Sequence, residues 1–190
     1  MRGTLGCASA WTATVLFAAA ATAADAPGAP FTLISPDIAP GGKIANAQVY
    51  NGFGCKGGNI SPALSWSNTP AGTLSFALLV HDPDAPTGGG WWHWVLYNLP
   101  AQTSALPAGA GDAQKNALPP GAVQGRTDFG TSGYGGPCPP AGPSHHYHFQ
   151  LYALKVAKLE LPVDARAARV AVNVHAQALG SAELTGVYGR

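Results

Sequence analysis

Apolar side chains recur along this chain with the period of strands far more often than with the period of helices. Phe31 to Ser35 forms a short apolar run, and Ala47 to Tyr50 forms a second, set between the glycines at 41–42 and the Asn51-Gly52-Phe53-Gly54 turn. Leu64-Ser65-Trp66 follows a turn at Asn59-Ile60-Ser61-Pro62. Leu74, Phe76, Leu78 and Val80 then alternate with Ser75, Ala77 and Leu79, and both rows are apolar, which predicts an inner strand covered on two faces. Asp82 continues the first row, so its carboxyl is expected at the strand end on that side.

Two later runs have the same character. In Trp92 to Asn98, strict alternation places Trp92, Trp94 and Leu96 on one face and His93, Val95 and Tyr97 on the other. In His145 to Lys155 the row His145, Tyr147, Phe149, Leu151, Ala153 opposes His146, His148, Gln150, Tyr152. The first row reads as a core face that ends in polar groups, with His146 and His148 directed away from it. From Leu99 to Ser144 glycine, proline, alanine and small polar residues dominate, and a segment of that length is either functional or conceals short irregular strands. Near the end, Asp164 is placed to cap a helix with an apolar row at Ala167, Val170, Ala171, Val174 and Ala178, stopped by Gly180. The prediction is a mainly β fold with a C-terminal helix.

Composition narrows the class. The 190 residues are 46% hydrophobic and only 10% charged, which suits one globular domain with a sizeable core. A formal net charge of +1 and the lack of a Lys/Arg cluster argue against nucleic acid as a partner. Met1-Arg2, the apolar stretch from Trp11 to Ala20 and the small-x-small site Ala21-Thr22-Ala23 predict a secretory signal over residues 1–23. Residues 24–30 are then a flexible mature N-terminus, residues 31–190 a single domain, and the location periplasmic or secreted, with no membrane span. Export leaves Cys55 and Cys138 as an even pair in an oxidising compartment, where a disulfide is the expected fate. Without a C-x-x-C spacing, a thiolate nucleophile or redox pair is the weaker reading.

The chemistry is concentrated in two places. His81-Asp82-Pro83-Asp84-Ala85-Pro86 precedes Trp92-His93-Trp94, and Gly136-Pro137-Cys138-Pro139-Pro140 precedes His145-His146-Tyr147-His148-Phe149. These runs resemble the two signature regions of the phosphatidylethanolamine-binding protein family. The segments 52–58, Asn59-Ile60-Ser61-Pro62, Leu64-Ser65-Trp66 and the terminal Glu183 to Arg190 are similar to its bacterial, Raf-kinase-inhibitor-like branch. The likeness spans Phe31 to Arg190.

The resemblance implies a Greek-key antiparallel β-sandwich with an anion-accepting pocket at one end. Carried over by position, Asp82 and His93 supply one acid and one imidazole, His145 and Tyr147 a second imidazole and a phenol, and Pro139 or Pro140 the pocket wall. The family usually has Arg where this chain has His146, which puts the pairing made by that guanidinium in question.

Two imidazoles and a phenol can donate hydrogen bonds to phosphate oxygens, and burial strengthens them. Asp82 would repel an anion unless it orients a histidine or receives a cation from the ligand. A zwitterionic head group meets both demands, with its ammonium near Asp82 and the face of Trp92 or Trp94. Duller readings stand beside these: Asp82 and Asp84 as turn residues, His93 as a satisfied core histidine, and His175 as a partly buried packing residue. His146-Tyr147-His148 has a metal-ligand spacing but lacks a third ligand at a recognisable offset, so no metal and no cofactor are expected. The leading expectation is an exported binding protein for a small phosphorylated or zwitterionic ligand, not an enzyme. A protein-interaction module inhibiting a kinase or protease is the alternative. Hydrolysis ranks lower, since no nucleophile elbow accompanies the histidines.

Overall fold

A computed structural model describes residues 28–190 apart from 116 and 163. The expected signal sequence and most of the 24–30 segment lie outside the described residues. In chain order the elements are β1 (Thr32–Ile34), β2 (Asn51–Gly52), β3 (Cys55–Lys56), β4 (Leu64–Ser67), β5 (Ser75–Asp82), β6 (Trp91–Pro100), β7 (Ala105–Leu106), β8 (Val123–Gln124), β9 (His145–Leu154), α1 (Ala167–Gln177) and β10 (Ala178–Tyr188). The fold is mainly β with one short helix.

Five strands form the principal sheet in the order β10-β9-β5-β6-β8, three form β1-β4-β7, and β2-β3 is a separate hairpin. Every ladder between these strands is antiparallel, and none of the sheets closes on itself. The central strand β5 explains its own doubly apolar sequence. Phe76, Leu78 and Val80 join Trp94, Leu96, Phe149 and Leu151 in a core shared with Leu33, Leu64, Trp66 and Leu106 of the smaller sheet. On the opposite face Ala77 and Leu79 join Val95, Tyr97 and Tyr152 beneath Val170, Ala171 and Val174 of α1. Burying a Leu, Val or Phe side chain contributes roughly 1.5–3 kcal/mol, so both rows favour this central position over an edge.

Several expectations are corrected. Ala47 to Tyr50 is a turn and not a strand, because its amides bond within the loop and to Pro137 O rather than to a neighbouring strand. Gly57 lies so close beneath it that a Cβ there would sit 2.0 Å from Val49 O. Leu74 is 52% exposed and the buried row begins at Phe76.

The helix is not C-terminal. It starts after Arg166, whose side chain makes no cap hydrogen bond, and Asp164 does not cap it. No glycine ends it: Ala178 turns directly into extended backbone and pairs with Leu154 as the first residue of β10. That final strand was hidden by small residues, since its inward row is Ala182, Leu184 and Gly186. Gly186 is required there, as a Cβ would come within 2.7 Å of Ile44.

Strict alternation also fails in β6. Val80 pairs with Trp94 while His81 pairs with Trp92, so one extra residue, His93, is inserted opposite β5. A bulge of this kind re-aims the side chains around it. Trp92 consequently packs with the helix-side cluster, its ring 4.1 Å from that of His81, whereas Trp94 lies in the other core. His93 is released from Val95's face and joins the side on which Tyr147 lies.

Candidate ligand-binding pocket

The pocket forms where the end of β5 meets the start of β9, and local geometry fixes each polar group. Asp82 Oδ1 accepts the Asp84 amide at 2.9 Å, the Asx turn expected of an acid before proline. Its Oδ2 accepts from His145 Nδ1 at 2.8 Å. Asp82 and His145 are both buried, so the pair is shielded from water. With Nδ1 committed to Asp82, His145 has Nε2 left for a ligand.

His93 is oriented by backbone. Its Nδ1 donates to Gly135 O at 2.7 Å, and the Gly135 amide returns a bond to His93 O at 2.9 Å. Its ring stands edge-on to Tyr147 and to Phe129, with centroids 5.0 and 5.5 Å away. Burial lowers the His93 pKa to about 4, outweighing the Gly135 carbonyl and the Asp82 charge, which both favour the imidazolium. Tyr147 is pushed the other way: burial first and the Asp82 carboxylate second raise its phenol well above the usual range. Its hydroxyl is buried and makes no hydrogen bond of normal length among the described residues, with the Asp82 carboxylate close by.

The wall opposite β9 comes from the irregular segment before it. Gly136 N donates to Asn59 Oδ1 at 2.8 Å, while Asn59 Nδ2 holds Tyr134 O at 3.2 Å. Only glycine fits at 136, where a Cβ would lie 2.0 Å from Gln48 O. Cys138 is joined to Cys55 of β3, and Arg190 Nε donates to Pro139 O at 2.6 Å. The wall is thus tied covalently to the β2-β3 hairpin and by a hydrogen bond to Arg190.

The resulting half-open cavity has a volume of about 210 Å³ and is lined by Asp82, His93, Pro139, Pro140, His145 and Tyr147 together with Phe53, Ala85, Pro86, Thr87, Trp91, Phe129 and Cys138. All six residues expected there from the sequence converge, and both prolines line the cavity. The size suits a head group rather than a drug-sized molecule, for which sites usually start at roughly 300 Å³.

The aromatic surface is not the one expected. Trp92 faces the helix side and Trp94 is wholly buried, with its indole Nε1 donating to Gln124 Oε1. Trp91, Phe129 and Phe53 line the cavity instead. Trp91 escaped because the bulge shifts the alternation, and Phe129 because nothing in its Gly/Ser/Thr-rich surroundings marks it.

The flanking residues have other partners. Asp84 Oδ2 accepts from both the backbone amide and Nδ1 of His146, at 2.8 and 2.7 Å, so His146 ties the start of β9 to the turn after β5. Those His146 bonds hold the Asp84 carboxyl below its ordinary range. His148 Nδ1 bonds Glu183 Oε1 at 2.8 Å; His175 is more exposed than expected but does pack, its ring 5.1 Å from that of Tyr152 and its Nε2 3.1 Å from the Tyr152 hydroxyl. Among the described residues no three His, Cys, Asp or Glu side chains gather as a metal site, and no helix is long and apolar enough to cross a membrane.

Comparison with known proteins gives the same answer for fold and family. The family model for phosphatidylethanolamine-binding protein matches residues 34–189. YbcL of Escherichia coli is 48% identical over 161 residues, covering 84% of this chain and 88% of its own. YbhB of the same organism is 48% identical over 156 residues, covering 82% and 98%. The Mycobacterium tuberculosis protein named "Putative lipoprotein LppC" is 39% identical over 160 residues, covering 84% of this chain and 72% of its own. The crystal structure of Escherichia coli YbcL, described as a new member of the mammalian PEBP family, superposes with a TM-score of 0.83 at 48% identity over 85% of this chain and 99% of that one. The chain belongs to the phosphatidylethanolamine-binding protein family.

Proposed function

We propose that this protein binds, and does not chemically transform, a small phosphorylated or zwitterionic ligand in the pocket of Asp82, His93, His145 and Tyr147, on a Greek-key sandwich framework. One observation carries the reading: a buried Asp82–His145 pair and a Tyr147 hydroxyl that is buried without a hydrogen bond among the described residues line one small cavity with apolar walls. A buried donor that lacks an acceptor is unfavourable, and an anion's oxygen fits Tyr147 and the second ring nitrogen of His145. The negative charge of Asp82, already engaged by His145, adds a preference for a ligand bearing a positive group that can lie toward Trp91 and Phe129.

Residues 31–190 act in this reading as one exported ligand-binding domain behind the leader at 1–23, in the periplasm or outside the cell. The Cys55–Cys138 disulfide and a relative named as a lipoprotein support export.

Titration calorimetry with phosphoethanolamine tests the proposal. Saturable binding that weakens about tenfold in Tyr147→Phe and more in Asp82→Asn is the expected result. Heat of dilution alone at millimolar ligand would overturn it.

A further inference from the structure

We infer that the pocket selects an anion carrying its own acidic hydrogen, a phosphate or phosphate monoester in its monoprotonated form, over sulfate and over phosphodiesters. The inference rests on the proposed phosphate-binding role of this pocket and adds the feature by which it would discriminate. It starts from His93. A carbonyl oxygen can only accept, so the 2.7 Å contact to Gly135 O fixes the hydrogen on Nδ1. In the neutral ring, Nε2 is then a lone pair; beside Gly135, the Gly136 backbone also lies near the ring and favours the imidazolium, so it acts as an acceptor and offers Nε2 no hydrogen. Burial holds the ring neutral at physiological pH, its pKa lying at about 4.

The surroundings give that lone pair no relief. On β5, Asp82 contributes a carboxylate already bonded to His145, and His81 lies on the far face against Trp92. On β9, Tyr147 approaches His93 edge-on and its hydroxyl supplies one donor. From the segment before β9, Asp128 is turned to the Trp92 amide, and Phe129 offers only ring carbon and hydrogen. A fully deprotonated anion would therefore set an oxygen lone pair against the nitrogen lone pair, beside a carboxylate. A P–OH removes the conflict, since it donates to Nε2 while the remaining oxygens accept from Tyr147 and His145. Leaving a buried acceptor unmatched typically weakens binding by at least about tenfold.

Three probes separate the possibilities: methyl phosphate, dimethyl phosphate and sulfate, each titrated at pH 5.5 and pH 8. Methyl phosphate carries a P–OH at the lower pH and loses it near its second pKa of about 6. The diester and sulfate lack that hydrogen at both. At pH 5.5 methyl phosphate should bind at least about tenfold more tightly than either other anion, and the margin should vanish at pH 8. His93→Gln, which presents an amide donor at that place, should erase the margin at pH 5.5. In the wild-type protein, histidine ¹⁵N spectra at pH 5.5 should show His93 Nε2 unprotonated before ligand is added. Equal affinity for all three probes, or a protonated Nε2 in the free protein, overturns the selectivity while leaving the phosphate pocket intact. Binding of none of them overturns both.

Discussion

Asp82 and His145, 63 positions apart in the chain, meet through Oδ2 and Nδ1 at 2.8 Å in a buried setting. The contact locks the end of β5 to the start of β9 and aligns the remaining nitrogen of His145 with the cavity. Structure and chemistry are coupled here, because the residue that orients the imidazole also sets the charge of the pocket. Replacing Asp82 by Ala leaves His145 Nδ1 and the Asp84 amide without their acceptor. Urea unfolding should show a loss of about 3 kcal/mol, the usual scale for breaking a buried pair from one side. A change below about 0.5 kcal/mol would mean the pair does not anchor the strand ends.

Tyr147 behaves differently. Among the described residues its hydroxyl makes no hydrogen bond of normal length, with only the Asp82 carboxylate close by, so Tyr147→Phe removes a buried polar atom that the scaffold leaves poorly satisfied. Stability should stay within about 1 kcal/mol of the parent or rise, since an unmet donor is destabilising. Phosphoethanolamine affinity should nevertheless fall about tenfold, which corresponds to about 1.4 kcal/mol. A variant that loses stability but keeps affinity would assign the phenol to the scaffold.

Acid sensitivity follows from His93. Its folded pKa of about 4 lies below the ordinary 6.5, so in that interval the unfolded chain binds a proton that the native state refuses. Stability therefore falls as pH drops from 6.5 toward 4, at a limiting slope of about 1.4 kcal/mol per pH unit and about 3 kcal/mol in all. Asp84 and Glu183 act in a lower window. The carboxyl of Asp84 is lowered by its His146 bonds; at Glu183 the upward push of burial is outweighed by bonds from His148, Gln150 and Thr185. Their contributions, present above the ordinary carboxylate range, are lost only as pH falls through the lowered values. Chemical denaturation at closely spaced pH values should thus show two phases, and His93→Leu should remove the upper one. Persistence of the upper phase in that variant would contradict the assignment.

The disulfide closes a long loop, with Cys55 and Cys138 separated by 83 positions. Chain-entropy reasoning gives roughly 4 kcal/mol for a loop of that length. The paired Cys55→Ser, Cys138→Ser variant should unfold at correspondingly lower urea and, because Cys138 lines the cavity, bind phosphoethanolamine more weakly. An unchanged midpoint would show that hydrogen bonds from Arg190 and the Tyr50 amide suffice to hold the wall.

Those residues whose position follows from alternation were legible in the sequence. The Phe76-Leu78-Val80-Asp82 row and the His145-Tyr147-Phe149 row each need only a regular strand, and β5 and β9 are regular there. His93 was identified by motif and not by phase, because a bulge in β6 overrides the period on which the reading depends. The same bulge misplaced Trp92 and concealed Trp91. Strand β10 carries no bulky row to mark it, because its inward positions include Ala182 and Gly186; at Gly186 the missing side chain answers Ile44 across the core, a constraint invisible in one dimension. The pocket's outer wall, with Phe53 and Phe129, depends on loop ties through Asn59, Gly136 and Cys138, contacts between residues far apart in sequence for which no local pattern exists.

The most direct test of the account is a long-range ¹H–¹⁵N histidine spectrum recorded while phosphoethanolamine is titrated into the protein. Saturable shifts confined to His93 and His145, with the exposed His146 and His175 unmoved, are the predicted result. Shifts confined to the exposed histidines, or none at all, would contradict it.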